Sequence, residues 1–180
     1  GVGVVEGSKR EAYLRGEITQ GVHVNFKNVL DTTSAKIPFG IAQIGKAFRN
    51  EITPGNFTYR MREFEQMELQ FYIKPEAEEG KKWFEYFKEL RMNWYQELGI
   101  KKENLRFRDH ADDERAHYAQ AATDIEYQAP IGWSEFEGIH HRGQWDLSRH
   151  AKYSGQELSY FDQESKQSIV PWVIETSGGV

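Results

Sequence analysis

Cysteine is absent from the 180 residues. Its absence removes disulfides, thiolate zinc sites and cysteine nucleophiles together, and fits a reducing compartment. Long apolar runs are missing too. No stretch reaches the roughly 18–20 residues that a membrane-spanning helix needs, and the opening GVGVVEGSKR carries no basic region followed by an apolar one. A soluble, cytoplasmic protein without a membrane partner is expected. No GxxxxGK[ST] phosphate loop, HExxH zinc helix or GxSxG elbow occurs, so P-loop, zincin and α/β-hydrolase chemistry are unsupported. Aromatic residues, by contrast, are plentiful: 5 Trp, 9 Tyr and 11 Phe argue for a packed core and against disorder. The length suits one folded domain spanning residues 1–180.

The net charge of −5 is unevenly spread. Residues 1–62 hold nine Lys/Arg against five acids, and the remainder 14 against 23, so a phosphate-bearing partner belongs with the first third. Val2 to Tyr13 suits a short strand or strand pair, and Gly21 to Leu30 fits either a helix or a strand. From Ile41 to Glu51 apolar residues alternate with polar ones. The breakers Thr53-Pro54-Gly55-Asn56 then make a turn, and Tyr59 to Ile73 returns as a second strand. Met67, Leu69, Phe71 and Ile73 share one parity, whereas Arg60, Arg62, Gln66, Glu68 and Gln70 share the other. Phe64 alone interrupts that polar face.

Glu76 to Leu98 reads as a helix with Trp83, Phe87, Leu90, Trp94 and Leu98 on its apolar face and Gly99 as its stop. Further along, Leu105–Arg108 suits a strand, Asp112–Ala121 a helix, and Thr123–Gln128 and Gly132–Ile139 strands. Gln144–Lys152 suits a helical turn or two, and Leu158–Asp162 with Ser168–Thr176 a closing hairpin. Strands that return on themselves predict an α+β fold, an antiparallel β-sheet flanked by helices.

The wet face of the central hairpin is the candidate site. Arg49, Glu51, Arg60, Arg62, Gln66 and Glu68 project from it, a mixture suited to a ligand carrying both signs: guanidinium forks for phosphate or a purine, carboxylates for an ammonium or a metal. Cross-strand ion pairing explains the same residues without a ligand, at roughly 0.2–1 kcal/mol per pair. His140 and His141 are adjacent on a strand and point to opposite faces, which favours solvated or satisfied histidines over a shared metal. None of the six histidines receives a catalytic role.

Arg49-Asn50-Glu51, the turn ITPGNF and Arg62-Glu63-Phe64-Glu65-Gln66-Met67-Glu68 together resemble motif 2 of the class II aminoacyl-tRNA synthetases, with the wording of the homodimeric glycyl type. VNFKNVLDTT at 24–33, PFGIAQIGKAFRNE at 38–51, AHYAQAATDIEY at 116–127, SEFEGI at 134–139 and PWVIETSGG at 171–179 continue the resemblance in order. It covers essentially the whole chain, with motif 2 at about 41–73 and the start of motif 3 at about 169–180. It implies an antiparallel sheet holding ATP and glycine, adenylate formation, and transfer to the acceptor end of tRNA.

By resemblance Arg49 is the catalytic arginine on the α-phosphate. Asn50, Glu51, Tyr59, Arg60, Met61, Arg62, Glu63 and Phe64 line ATP, with Phe64 under the adenine. Glu135, Phe136 and Arg142 form the other ATP-side segment, Glu135 being the acid that would meet Mg2+. Glycine falls to Glu17, Phe64, Glu65, Gln66, Met67, Glu68, Glu175 and Ser177. The sequence departs from the family wording at Gly16, Ile18, Gln144 and Thr176. It shows no motif 1, the usual dimer segment, so the oligomeric state stays open. It stops before the motif 3 arginine and shows no anticodon-binding domain. A minimal catalytic core is the expectation; a non-catalytic paralogue or binding module, using the sheet for a protein or RNA partner, is the alternative.

Overall fold

The parity of the second predicted strand sets the centre of the molecule. The computed structural model describes residues 7, 11–55, 58–111, 113–114 and 119–180. Among these, β1 (Phe39–Phe48), β2 (Glu63–Ile73), β3 (Leu105–Asp109), β4 (Ala121–Ala129), β5 (Gly132–Gly143) and β8 (Trp172–Gly179) form a six-stranded sheet in the order β1-β2-β8-β5-β4-β3. Every neighbouring pair is antiparallel. The short strands β6 (Tyr160–Asp162) and β7 (Gln167–Ile169) pair separately.

One sheet face lies under α2 (Ala77–Glu97). Ile73, Ile125, Ile139 and Ile174 are fully buried there with Phe84, Phe87 and Tyr95 of the helix. Burying each such side chain contributes about 1.5–3 kcal/mol. Glu78 and Glu79 sit in the first turn of α2, where the dipole favours acids. Gly99, at φ +97°, takes the left-handed conformation that ends it, its N–H donating to the Gln96 carbonyl. The other face is divided. Phe26 of α1 (Thr19–Thr33) and Leu147 of α3 (Trp145–Ser154) pack with Tyr72, Leu158 and Val173 over one end. The opposite end, bearing Gln66, Glu68, Ser177 and Asp124, is the wet face that forms the candidate site. No helix among the described residues is long and apolar enough to cross a membrane.

Several boundaries differ from expectation. The ambiguous stretch 21–30 is helical, within α1. The central hairpin closes earlier: Arg49 N–H still donates to the Arg62 carbonyl, but Glu51 N–H turns back to Arg49, and Pro54 has no N–H to continue a ladder. Arg49, Glu51, Arg60 and Arg62 therefore lie on a loop beyond β1 and β2. On α2 the buried stripe is Phe84, Phe87 and Tyr95, whereas Leu90 and Leu98 are exposed. The predicted closing hairpin is split: its second half becomes β7 and then, beyond Pro171, the central strand β8. The predicted Asp112–Ala121 helix falls partly outside the described residues, and Ala121 already belongs to β4. Of the Val2–Tyr13 strand, residues 2–6 and 8–10 lie outside the described residues, and 11–13 have no regular structure.

Candidate functional site

Even-numbered β2 residues and odd-numbered β8 residues bring the acids together. Glu68 and Glu175 are both buried and are bridged by donors. Thr19 Oγ donates to Glu68 Oε2 at 2.7 Å and lies 3.2 Å from Glu175 Oε2, and Gln70 Nε2 donates to Glu175 Oε2 at 2.7 Å. Ser177 Oγ donates to Glu68 Oε1 at 3.0 Å. Glu17, half-buried at the start of α1, accepts from Gln20 Nε2 at 3.1 Å and adds its charge to the same pocket.

The two buried carboxylates differ in their partners. Arg142 Nη1 donates to Glu175 Oε1 at 3.0 Å, and His140 Nδ1 lies 3.1 Å from the same oxygen without the direction of a hydrogen bond. Burial alone would raise the Glu175 carboxyl, but the His140 ring, the Arg142 charge and Gln70 outweigh it and hold it at about 2. Among the described residues, no cation forms an ion pair with Glu68. Burial, then the Glu175 charge, push its carboxyl up to about 7 against the opposing hydrogen bonds from Thr19 and Ser177. Next to it, Gln66 Oε1 is buried and accepts no hydrogen bond. A deprotonated Glu68 beside an unsatisfied amide oxygen is a receptor for a small cationic donor such as an ammonium.

Arg142 corrects an expectation. It is 2% exposed, and its fork is bidentate to Asp146 at 2.7 and 3.0 Å besides holding Glu175. Asp146 also accepts from Gln20, and His23 Nε2 lies 3.7 Å from it; burial lowers His23 to about 4. Arg142 thus lies beneath Glu175, with Nε, Nη1 and Nη2 each donating to a buried carboxylate, and not beside the exposed arginines of the loop end.

The loop end is built differently. Arg49 is exposed; its Nε donates to the Gly16 carbonyl at 3.2 Å and its guanidinium stands 5.2 Å from the centre of the Phe64 ring. Phe64 shares the wet parity with Gln66 and Glu68, which accounts for its break in the polar pattern. Arg62 Nε donates to the Glu51 carbonyl at 3.0 Å, and Arg60 pairs with Glu51 at 3.5 Å. Asn50 and Met61 are exposed on the same loop. Tyr59 stacks toward Phe136, with centroids 6.5 Å apart.

Four expected contacts face elsewhere. Glu63, Glu65 and Met67 have the opposite parity from Glu68. Glu63 ion-pairs with Lys46, and Met67 lies against the side of Gly178 away from the pocket. Phe136 packs on the α2 side, 4.8 Å from the Tyr127 ring and 5.6 Å from Tyr95. The cause is a β-bulge: Ile125 pairs with Glu137 and Glu126 with Glu135, so Phe136 is an extra residue. Glu137 follows it to the α2 side, where Arg91 holds it bidentately at 2.6 and 2.9 Å and Tyr95 donates at 2.7 Å. Glu135 stays on the wet face. Burial and the neighbouring Asp124 raise its carboxyl, with His140, His110 and Arg49 opposing.

Two acids that repel each other suit a divalent cation, yet no three His, Asp or Glu converge as a metal cage among the described residues. A magnesium ion arriving with phosphate oxygens fits this donor set better than a resident metal. Two open hollows lie beside α3, around Trp145 and Arg149. Thr19, Gln70, Asp146 and His140 belong to the site and were not among its expected residues. Gln70 alone had a signal, the parity it shares with Glu68.

Comparison with known proteins agrees with this architecture. The model of the "tRNA synthetase class II core domain (G, H, P, S and T)" matches residues 4–173. A glycine-tRNA ligase of Geobacillus kaustophilus is 55% identical over 98% of the chain, and one of Acetivibrio thermocellus 56% identical over the same share. The chain spans 38% of the length of each. Among solved structures, a Giardia lamblia prolyl-tRNA synthetase in complex with prolyl-adenylate superposes with a TM-score of 0.70 at 19% identity, over 98% of this chain and 34% of that one.

Proposed function

The chain belongs to the class II tRNA synthetase core family, and from that premise we propose that it activates glycine with ATP to glycyl-adenylate and presents the product to the acceptor end of a tRNA, in the cytoplasm. Its relatives named glycine-tRNA ligase support the choice of amino acid. The observation that carries the reading is the buried pair Glu68 and Gln66, a negative and hydrogen-bond-accepting pocket on the same strand face as the Arg49–Phe64 pair.

In this reading the ammonium of glycine sits at Glu68 and Gln66, with Ser177 beside it and Glu17 adding to the field. Glu175, already paired with Arg142 and flanked by the His140 ring, shapes the pocket. The glycine carboxylate turns toward Arg49. ATP lies over the loop end, its adenine on Phe64, with Arg60, Arg62 and Glu51 around its phosphates and ribose. Glu135 and Asp124 would hold a magnesium ion bound with ATP, which would supply positive charge to the phosphate oxygens. A carboxylate oxygen attacks the α-phosphorus; a carbon–oxygen–phosphorus linkage forms as the bond to pyrophosphate breaks. No general base is needed, because the nucleophile is already an anion. Arg49 stabilises the charge that accumulates on the α-phosphoryl oxygens, and positioning two reactants on one rigid sheet supplies much of the remainder. The terminal ribose hydroxyl of tRNA then displaces AMP from the carbonyl carbon.

Glycine-dependent exchange of pyrophosphate into ATP tests the proposal. Exchange above background that disappears in Arg49→Ala and in Glu68→Ala is expected. Exchange absent from the unaltered protein would discard catalysis and leave the sheet as a binding module.

A further inference from the structure

One register row crosses the wet face through four strands: Glu68 on β2, Ser177 on β8, Gly138 on β5 and Asp124 on β4. Three of these contribute a polar side chain and Gly138 contributes none. The gap is filled from two residues away. The His140 imidazole folds back along its own strand, so that a Cβ at Gly138 would lie 2.6 Å from His140 Cε1. The ring is held there by Glu175 on one side and, edge to face at 6.4 Å, by His110, which itself lies 2.7 Å from Asp124. The β1 flank of the pocket is closed in the same manner. Gly45, opposite Gln66, has Arg15 over it, with Nη2 2.7 Å from where a Cβ would be.

We propose that His140 is a specificity residue: its ring occupies the volume beside Ser177 into which a side chain on the substrate's Cα would extend, restricting the site to an α-amino acid that has none. This rests on the proposed placement of the substrate ammonium at Glu68. With the ammonium there and the carboxylate toward Arg49, Cα lies over the Glu68–Ser177 row. Arg15 blocks the β1 side, and the remaining direction into the sheet leads to Gly138 and the imidazole. A methyl group forced against a fixed ring is discriminated by roughly ten- to two-hundredfold, the range for one methylene in a fitted pocket.

The test compares glycine with alanine in the unaltered protein, in His140→Ala and in His140→Phe, by pyrophosphate exchange and by calorimetric binding of each amino acid. In His140→Ala the alanine-to-glycine ratio of kcat/KM should rise at least about tenfold. His140→Phe, which keeps the bulk and loses the contact to Glu175, should retain the discrimination. An unchanged ratio in His140→Ala overturns the proposal. Equal loss of discrimination in both variants also overturns it, because the effect would then run through the charge of Glu175. If the unaltered protein binds glycine while either of those results is found, the inference alone falls. If it neither exchanges nor binds glycine, the functional reading falls with it.

Discussion

The two ends of the wet face are built by opposite means. At the strand end, Glu68, Glu175, Arg142 and Asp146 are all nearly inaccessible and interlocked by hydrogen bonds of 2.7–3.2 Å. At the loop end, Arg49, Arg60 and Arg62 are exposed and hold on through carbonyls and one loose ion pair. A small, fixed ligand needs a rigid receptor, whereas a long polyanion needs cations free to close on it. Stability and ligand binding should therefore separate along this face, and within the strand end the two carboxylates should separate from each other.

The largest effect is expected at Arg142. Arg142→Met leaves Glu175 and Asp146 buried without their cation and should cost about 3–5 kcal/mol of unfolding free energy in urea titration. A change near zero would break the contrast between the two ends.

Glu68 comes next. Its carboxyl ionises near 4.5 in the unfolded chain and near 7 in the folded one, so the folded state binds more protons between those values and loses stability as pH rises through them. Over the full window the loss amounts to about 3 kcal/mol. Glu175 has the opposite sign: its carboxyl is lowered to about 2, so its contribution is complete above 4.5 and lost as pH falls toward 2. Glu68→Gln should flatten the melting-temperature profile between pH 5 and about 7.5 and leave the acid limb unchanged. In the unaltered protein, glycine binding at pH 7 should release about half a proton, read from calorimetry in buffers of different ionisation enthalpy.

Phe64→Ala should weaken ATP by about 1–2 kcal/mol, seen as a raised KM for ATP with little change in that for glycine. The smallest effect belongs to Arg60. Arg60→Gln should shift stability by less than about 0.5 kcal/mol, since its exposed pair with Glu51 is worth little, and thermal melting would register any larger dependence.

Much of this was written in strand parity. The alternation from Gln66 to Ile73 by itself separates the face of Glu68 from the face of Met67, and the order of the motifs points to the sheet. Parity also contradicted the expectation that Glu63, Glu65 and Met67 touch substrate, which came from their place in a contiguous motif. The bulge at Phe136 leaves no mark in the alternation, so Phe136 could not be assigned to the α2 side from sequence. On α2, apolar residues cover more than half the circumference, and only packing chooses Phe84 and Tyr95 over Leu90 and Leu98. The commitment of Arg142 to Asp146, and of His140 to the space over Gly138, depends on contacts four and two residues apart that any exposed strand could leave unmade.

The bulge in β5 carries one more consequence, for what the gene can lose. Because Glu135 and Glu137 already occupy the places that adjacent residues of a regular strand would take opposite Glu126 and Ile125, removing Phe136 altogether leaves every other β5 side chain on its present face. Loss of any one residue between 132 and 135 shortens the strand instead, and moves those before it to the wrong side of the sheet. A single codon in this strand is dispensable to its geometry, and it encodes a ring that packs against Tyr59, Tyr95 and Tyr127.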